Sequence, residues 1–275
     1  LGFYCRFDLP RASENQVLAS FEDGVGKYLK KKPFRILDSS KHPDRRPDTI
    51  LTQGFLATGL ITPIDILAQS AASSGFINAM PDFDGVLRRT PLLIEHENSL
   101  YPSLALALIQ MIRKESLMTL HVANRKTEVT FPADSSNAQL TIPLDASGNL
   151  FIHFRGAGKN YTYYSASDVL AKVVAPGAFR GKVVLIGSSA SALKDIHVSP
   201  LGPELVGVET HAAVIDTILT GDFIYIPSWA RALELAALLT LGLVLTLIFV
   251  RGKMIISLTL PPAMWGLIYL GSEFC

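Results

Sequence analysis

The chain has 275 residues, of which 49% are hydrophobic, and its mean hydropathy of +0.32 is high for a protein that is water-soluble throughout. The formal net charge of +1 argues against a general nucleic-acid-binding surface, so we expect no nucleic-acid partner. The two cysteines, Cys5 and Cys275, lie at the extreme ends, which argues against a disulfide framework.

The first 74 residues carry few strong signals. Phe3 and Tyr4 are typical of the end of a strand, and residues 12–32 have scattered helical spacing with a lysine cluster that we interpret as a solvated helix face. Residues 63–72 predict a short helix, with Thr62 as its N-cap and Pro63 at the first helical position.

Residues 75–94 predict a β-hairpin. Its turn contains Asp84-Gly85, a strong hairpin signal because glycine tolerates positive φ and aspartate bonds to its own backbone. We expect Arg88 or Arg89 to pair with Asp82 or Asp84 across this turn. The Asp-x-Asp-Gly sequence lacks the distal glutamate of a calcium loop, so no metal site is predicted.

Hydrophobic periodicity predicts the elements that follow. They are a core-packing helix over 101–112, two strands within 117–131 joined by a turn at 124–126, strands over 140–142 and 150–154 joined by a turn at 145–149, and a helix over 165–173.

The stretch 179–219 is the one around which we expect the fold to be organised. Residues 183–186 form a continuous, largely β-branched apolar run, which predicts a strand buried on both faces, so Ile186→Asp is expected to be severely destabilising. A loop of small residues follows, then a helix over 206–219 that Gly221 terminates. This order predicts an α/β fold with a mixed sheet and flanking helices.

The loop after this predicted strand is a candidate ligand site, because α/β folds bind ligands beyond the carboxyl ends of their strands. Ser188 and Ser189 offer hydroxyls and backbone amides to an anion or a polar ligand. The loop lacks the spacing of a nucleophile elbow, a dinucleotide-binding loop or a phosphate-binding loop. A tight structural turn of small residues is the alternative interpretation.

Three further side chains are candidate ligand contacts. Asp195 either caps the loop or contacts the ligand, and Arg155 either binds an anion or lies at the surface at a strand end. Glu209 and His211 are two residues apart on the predicted helix and share no face, so they are not expected to chelate a metal. We expect His211 to contact Asp195 in a buried polar network, and we predict no cofactor.

The amino-acid composition becomes strongly apolar after Pro227. Residues 228–250 are apolar and long enough to cross a bilayer, and residues 254–275 form a second apolar run, cut short by the end of the sequence. The basic residues of the intervening loop, 251–253, are expected in the cytoplasm under the positive-inside rule. Residues 1–227 are then predicted to form one extracytoplasmic domain, N-terminally truncated.

Several separated motifs occur in a fixed order along the chain. They are MPDFDGVLRRTPLL (80–93), YPSLALAL (101–108), NLFIHFRG (149–156), YYSASDVL (163–170), GKVVLIGSSASALKD (181–195), Ser199-Pro200 and GVETHAAVIDTIL (207–219). Together they resemble the second-type CHASE domain, an extracytoplasmic sensor module of bacterial transmembrane cyclases, histidine kinases and related receptors. The resemblance covers roughly Gly75 to Pro227, and residues 1–74 match only loosely.

This resemblance implies a sensor and membrane-anchor portion of a homodimeric bacterial receptor in the inner (plasma) membrane. The ligand is expected to be an unidentified small molecule or stress signal. The output domain, beyond residue 275, is expected to be an adenylate/guanylate cyclase, with a histidine or Ser/Thr protein kinase as the alternative. The residues alone leave two other classes open: a membrane-anchored extracytoplasmic enzyme with Ser188 or Ser189 as nucleophile, and a structural interaction domain.

Overall fold

The computed structural model describes residues 2–6, 34–38, 55–96, 99–114, 118–123, 126–135, 137–188, 195–227 and 229–251. Within these ranges the chain forms a mixed α/β fold with thirteen strands and five helices. Two compact units divide the chain, residues 1–225 and residues 226–275, and each is described by itself.

All the described strands and four of the helices belong to the first unit. The strands are β1 (Gly2–Arg6), β2 (Phe34–Asp38), β3 (Gly59–Ile61), β4 (Gly75–Phe76), β5 (Arg89–Pro91), β6 (Leu93–His96), β7 (Ser99–Pro102), β8 (Met118–Ala123), β9 (Lys126–Phe131), β10 (Leu140–Leu144), β11 (Asn149–Phe151), β12 (Ile196–Ser199) and β13 (Gly202–Val206). The helices are α1 (Asp65–Ser70), α2 (Leu104–Ile112), α3 (Ala166–Leu170) and α4 (Gly207–Thr220).

These strands form five small sheets, which corrects the single mixed sheet predicted from the sequence. The largest has the order β10-β9-β8-β2, in which only the β2–β8 pair is parallel. A three-stranded sheet has the order β3-β1-β4, with β1 antiparallel to β3 and parallel to β4. The pairs β11-β5, β12-β13 and β6-β7 complete the set within the described residues.

The main core lies between the four-stranded sheet and the helices α2 and α4. Val129 of β9 is opposite Leu120 on one side and Ile142 on the other, and all three side chains are buried. Alternate residues of these strands point into the core, as the period of two requires. Leu106 of α2 and Val214 of α4 belong to the same buried cluster, so both helices are held by apolar packing.

Residues 183–186, the predicted central strand, form no strand in the structure. Ile186 is 97% exposed, and Val183 and Val184 are also exposed. Of these four residues, only Leu185 packs against the main core. Residues of β8, β9, β10, α2 and α4 already fill that core. The prediction was wrong because the hydrophobicity of a segment does not show whether a strand is available to pair with it. Since Ile186 is exposed, Ile186→Asp is no longer expected to be severely destabilising.

The predicted turn at Asp84-Gly85 is confirmed, whereas the hairpin around it is wrong. Gly85 has φ of +81°, and its N–H donates to the carbonyl of Asp82 at 2.9 Å. The segments on either side pair elsewhere, since β4 joins β1 and β5 joins β11. Non-local pairing therefore overrides the local hairpin signal.

The predicted arginine–aspartate pairing is also confirmed. Arg88 contacts Asp82 at 3.2 Å and Asp84 at 2.8 Å, while Arg89 joins Asp82 at 2.9 Å to Asp145 at 2.8 Å. Asp145 in turn accepts from the backbone of the predicted turn before β11. Two turns that are distant in sequence are thus tied together by charge-assisted hydrogen bonds.

The predicted helices are found with adjusted ends. Helix α4 confirms the helix over 206–219, and Gly221 ends it in the left-handed conformation with φ of +69°. Helix α2 starts later than predicted because Tyr101 and Pro102 belong to β7, and its N-cap Ser103 accepts from Leu106 N–H at 3.2 Å. Helix α1 begins after Ile64, so the predicted N-cap at Thr62 is wrong.

Some predictions fall on residues outside the described ranges. They are the helix over 12–32, most of the turn at 124–126, and the second apolar run at 254–275.

The described part of the second unit is one long helix, α5 (Ala230–Arg251). It has 22 residues, its most apolar window has a mean hydropathy of 2.5, and none of that window is buried. Within the described part of the chain, α5 is the one helix long and apolar enough to cross a bilayer.

Candidate functional site

A cavity of about 230 Å³ lies beside the first turn of α4. Its wall is built by β1, by the segments after β4 and before β12, and by the starts of α2 and α4. The lining residues that matter for its chemistry are Asn78, Thr90, Leu185, Ile186, Asp195, His197, Gly207, Val208, Thr210 and His211.

The carboxylate of Asp195 is placed by its contact with the start of α4. Gly207 N–H donates to the Asp195 carbonyl at 2.9 Å, and the Asp195 carboxyl group occupies the space that a Cβ on residue 207 would fill. Glycine is therefore required at position 207. The helix dipole favours a negative charge at this end of α4, and the Asp195 side chain remains 45% exposed, with His197 Nε2 at 3.5 Å.

His211 supplies an imidazole to the same wall. Burial lowers its pKa, since the charged form is poorly solvated there, and His197 lowers it further, while Asp195 acts in the opposite direction. His211 is therefore neutral at pH 7. A neutral imidazole offers one hydrogen-bond donor and one acceptor.

Thr210 contributes a hydroxyl that nothing in the described structure satisfies. The residue is 2% exposed and its Oγ1 has no hydrogen-bond partner among the described residues. Thr217 of the same helix behaves in the usual way, because its hydroxyl donates to the Ala213 carbonyl at 2.8 Å and accepts from His153 N–H at 3.2 Å. A buried unpaired hydroxyl costs about 1–3 kcal/mol.

The rest of the wall is largely apolar. Ile77, Leu104, Leu185 and Val208 face the cavity, and Ile186, almost fully exposed, also lines it. The combination of an apolar wall with a few converging polar groups is typical of small-molecule sites.

A family model, that of the CHASE2 domain, matches residues 12–247. The chain belongs to the CHASE2 family. This is a family of extracellular sensor domains. The match confirms the resemblance found in the sequence. It also extends beyond both ends of the region, roughly Gly75 to Pro227, that showed the resemblance. It includes every residue that lines the cavity except Gly2 and Tyr4. No curated protein and no solved structure matches the chain.

Of the residues singled out from the sequence, Asp195 and His211 meet in this cavity of the CHASE2 domain. Ser188 is half-buried and follows Gly187, which lines the cavity, but its own side chain is not part of the wall. Ser189 lies outside the described residues. A ligand-binding role for these residues stays a prediction.

Arg155 lies apart from the cavity. Its guanidinium bonds to Asp216 and Asp222 at 2.8 Å each and to Thr220 Oγ1 at 3.0 Å, all at the end of α4 or just beyond it. The bonds to Asp216 and Asp222 raise the pKa of Arg155, and the three bonds together fix its side chain against that end of the helix. We therefore leave Arg155 out of the candidate site.

Sequence reasoning missed Thr210 and Gly207. A threonine inside a helical pattern carries no signal of an unpaired hydroxyl, so only the structure reveals Thr210. Gly207 stands at the start of a strongly helical stretch, where glycine is not a helix former, and this was a usable sign of a close backbone approach.

The buried carboxylate of Glu209 connects residues 159–163 to the first turn of α4 by hydrogen bonds. Glu209 accepts from the backbone N–H groups of Lys159 at 2.9 Å and Asn160 at 2.8 Å, and from the Tyr163 hydroxyl at 2.7 Å. We call this set the Glu209 clasp. Burial alone would raise the pKa of Glu209, but the bonds from Tyr163, Asn160 and Lys159 outweigh it and lower the pKa. Burial and the bond to Glu209 raise the pKa of Tyr163 to about 12.

The chemistry of the cavity suits binding. Among the described residues, no group of three or more His, Cys, Asp or Glu is placed to hold a metal ion. Asp195, His197, Thr210 and His211 offer hydrogen-bond donors and acceptors, and the apolar wall offers burial to the rest of a small ligand.

Proposed function

We propose that this CHASE2 domain is the extracytoplasmic sensor of a bacterial transmembrane receptor, and that the cavity beside α4 binds its small-molecule signal. Membership of a family of extracellular sensor domains supports the sensor role. The apolar helix α5 supports a membrane anchor directly after the sensor. The output is an adenylate/guanylate cyclase, with a protein kinase as the alternative, and the receptor acts as a homodimer in the inner membrane.

One observation carries the assignment of the cavity, the unpaired hydroxyl of Thr210. A buried hydroxyl without a partner costs stability in the free protein, and a ligand that completes the hydrogen bond recovers that cost.

Signal transfer then follows from unequal binding to two conformations. A ligand in contact with Thr210 and His211 favours the conformation in which the first turn of α4 completes the wall. The chain continues from α4 through residues 221–229 into α5, so a change in α4 has a covalent route to the membrane segment.

Two matched threonine substitutions in the full-length receptor test this proposal. Valine has the shape of threonine without the hydroxyl. Thr210→Val is expected to leave the melting temperature unchanged or raised, because it removes an unsatisfied group, while it changes cyclic-nucleotide output in cells. Thr217→Val is expected to destabilise by about 1–3 kcal/mol, because it leaves the His153 N–H without its acceptor.

The melting temperature and the cyclic-nucleotide output together test whether the cavity senses a ligand. Altered output from Thr210→Val at a native or higher melting temperature supports a sensing cavity. Native output at an unchanged or higher melting temperature would contradict it. Loss of output that merely follows a lower melting temperature, as expected for Thr217→Val, would also contradict it.

A further inference from the structure

We infer that the cavity takes a small organic ammonium ion, with its charged head at Asp195 and His211 and an apolar body against the opposite wall. This deepens the proposed function and rests on it. Three features carry the inference: the charge of the wall, the number of its hydrogen-bond acceptors, and its size.

The charge of the wall favours a cation. Asp195 is the one carboxylate among the described lining residues, and none of those residues is a lysine or an arginine. The start of α4 would attract an anion, but the Asp195 carboxyl group already lies over Gly207 at that position. An anionic ligand would therefore meet a like charge, whereas an ammonium group would meet an opposite one.

The polar groups of the wall also match the hydrogen bonding of an ammonium head. A primary ammonium group has three N–H donors and no acceptor. Asp195 has unused acceptor capacity, since its nearest partner among the described residues is His197 Nε2 at 3.5 Å. His211 also lines the cavity, and its neutral imidazole has one nitrogen that accepts. Asp195 and His211 together supply acceptors for such a head.

The rest of the cavity limits the body of the ligand. At about 230 Å³, the cavity is smaller than the roughly 300–1,000 Å³ of pockets that hold drug-sized ligands. Leu185 and Val208 provide an apolar wall, and Ile186 exposes an isoleucine side chain that a hydrocarbon body would cover. The ligand class is thus a small alkyl or cycloalkyl amine in its protonated form.

Three probes of similar shape separate charge from size. They are cyclohexylammonium, cyclohexanol and cyclohexanecarboxylate, titrated calorimetrically at neutral pH into the full-length receptor in lipid nanodiscs. Cyclohexylammonium is expected to bind at least about tenfold more tightly than either of the others, because a hydrogen bond to a charged group is the stronger kind. Asp195→Asn is expected to abolish this preference.

Asp168→Asn provides the matched control. Asp168 lies in the first turn of α3, is exposed and does not line the cavity, so its exchange removes the same charge elsewhere. The preference for cyclohexylammonium should survive it. The melting temperature of each variant shows that loss of binding is not loss of fold.

The outcomes separate this inference from the proposed function. Equal binding of the three probes, tighter binding of the carboxylate, absence of all binding, or a preference that persists in Asp195→Asn would each overturn the ammonium inference. None of these results bears on whether Thr210→Val alters output. The sensor proposal is judged by that variant alone.

Discussion

At the residue scale, the buried imidazole of His211 makes the stability of the domain depend on pH. Burial lowers its pKa below the ordinary value of 6.5, so in the acidic range the folded state binds fewer protons here than the unfolded state. Stability is therefore fully present above about pH 6.5, and it is lost as the pH falls from there toward the pKa of folded His211. Below that lower pKa the contribution of His211 levels off.

We predict that the melting temperature of the full-length receptor falls between about pH 7.5 and about pH 5.5, and that His211→Gln reduces this fall. Glutamine retains a donor and an acceptor but does not titrate. Calorimetric scans of both proteins across this range measure the difference. An equal fall in the variant would show that His211 is not the group responsible.

At the element scale, the Glu209 clasp joins residues 159–163 to the first turn of α4. One carboxylate accepts from two backbone N–H groups and one hydroxyl, so Glu209→Gln replaces one acceptor oxygen by an amide that only donates. We predict that this variant is about 1–3 kcal/mol less stable, measured from its urea denaturation midpoint.

Glu204→Gln is the control for this exchange. Glu204 is exposed on β13, and a surface substitution of this kind changes stability by about 0.5 kcal/mol or less. A Glu209→Gln midpoint no lower than that of Glu204→Gln would contradict the clasp.

Helices and turns could be predicted from the sequence, whereas the pairing of strands could not. Helix α4 and its end at Gly221 follow from local spacing and local backbone preference, and so does the turn at Asp84-Gly85. Strand partners are non-local, so no window of sequence reveals that β4 pairs with β1, or that residues 183–186 remain unpaired. Within the site, Asp195 and His211 stood out as titratable groups near a predicted loop, whereas the unpaired Thr210 depends on what surrounds it in space.

At the scale of the whole molecule, the proposed receptor must place its sensor and the end of α5 on opposite sides of a membrane. Helix α5 has 22 residues, so at about 1.5 Å per residue it spans the hydrocarbon core of roughly 30 Å. Arg251 ends α5 and Lys253 follows it, and under the positive-inside rule we expect both in the cytoplasm. In the topology that we propose, the first unit, which precedes α5, lies outside the cytoplasm.

Cysteine labelling of the full-length receptor in intact cells or spheroplasts tests this orientation. Cys275 is replaced by serine. Cys5 can remain because burial raises its pKa to about 12, which leaves very little reactive thiolate. We predict that Lys182→Cys, at an exposed position of the first unit, reacts with a membrane-impermeant maleimide, whereas Gly252→Cys reacts only after the membrane is permeabilised. If Gly252→Cys reacts from the outside and Lys182→Cys does not, the sensor faces the cytoplasm and the proposed topology is wrong.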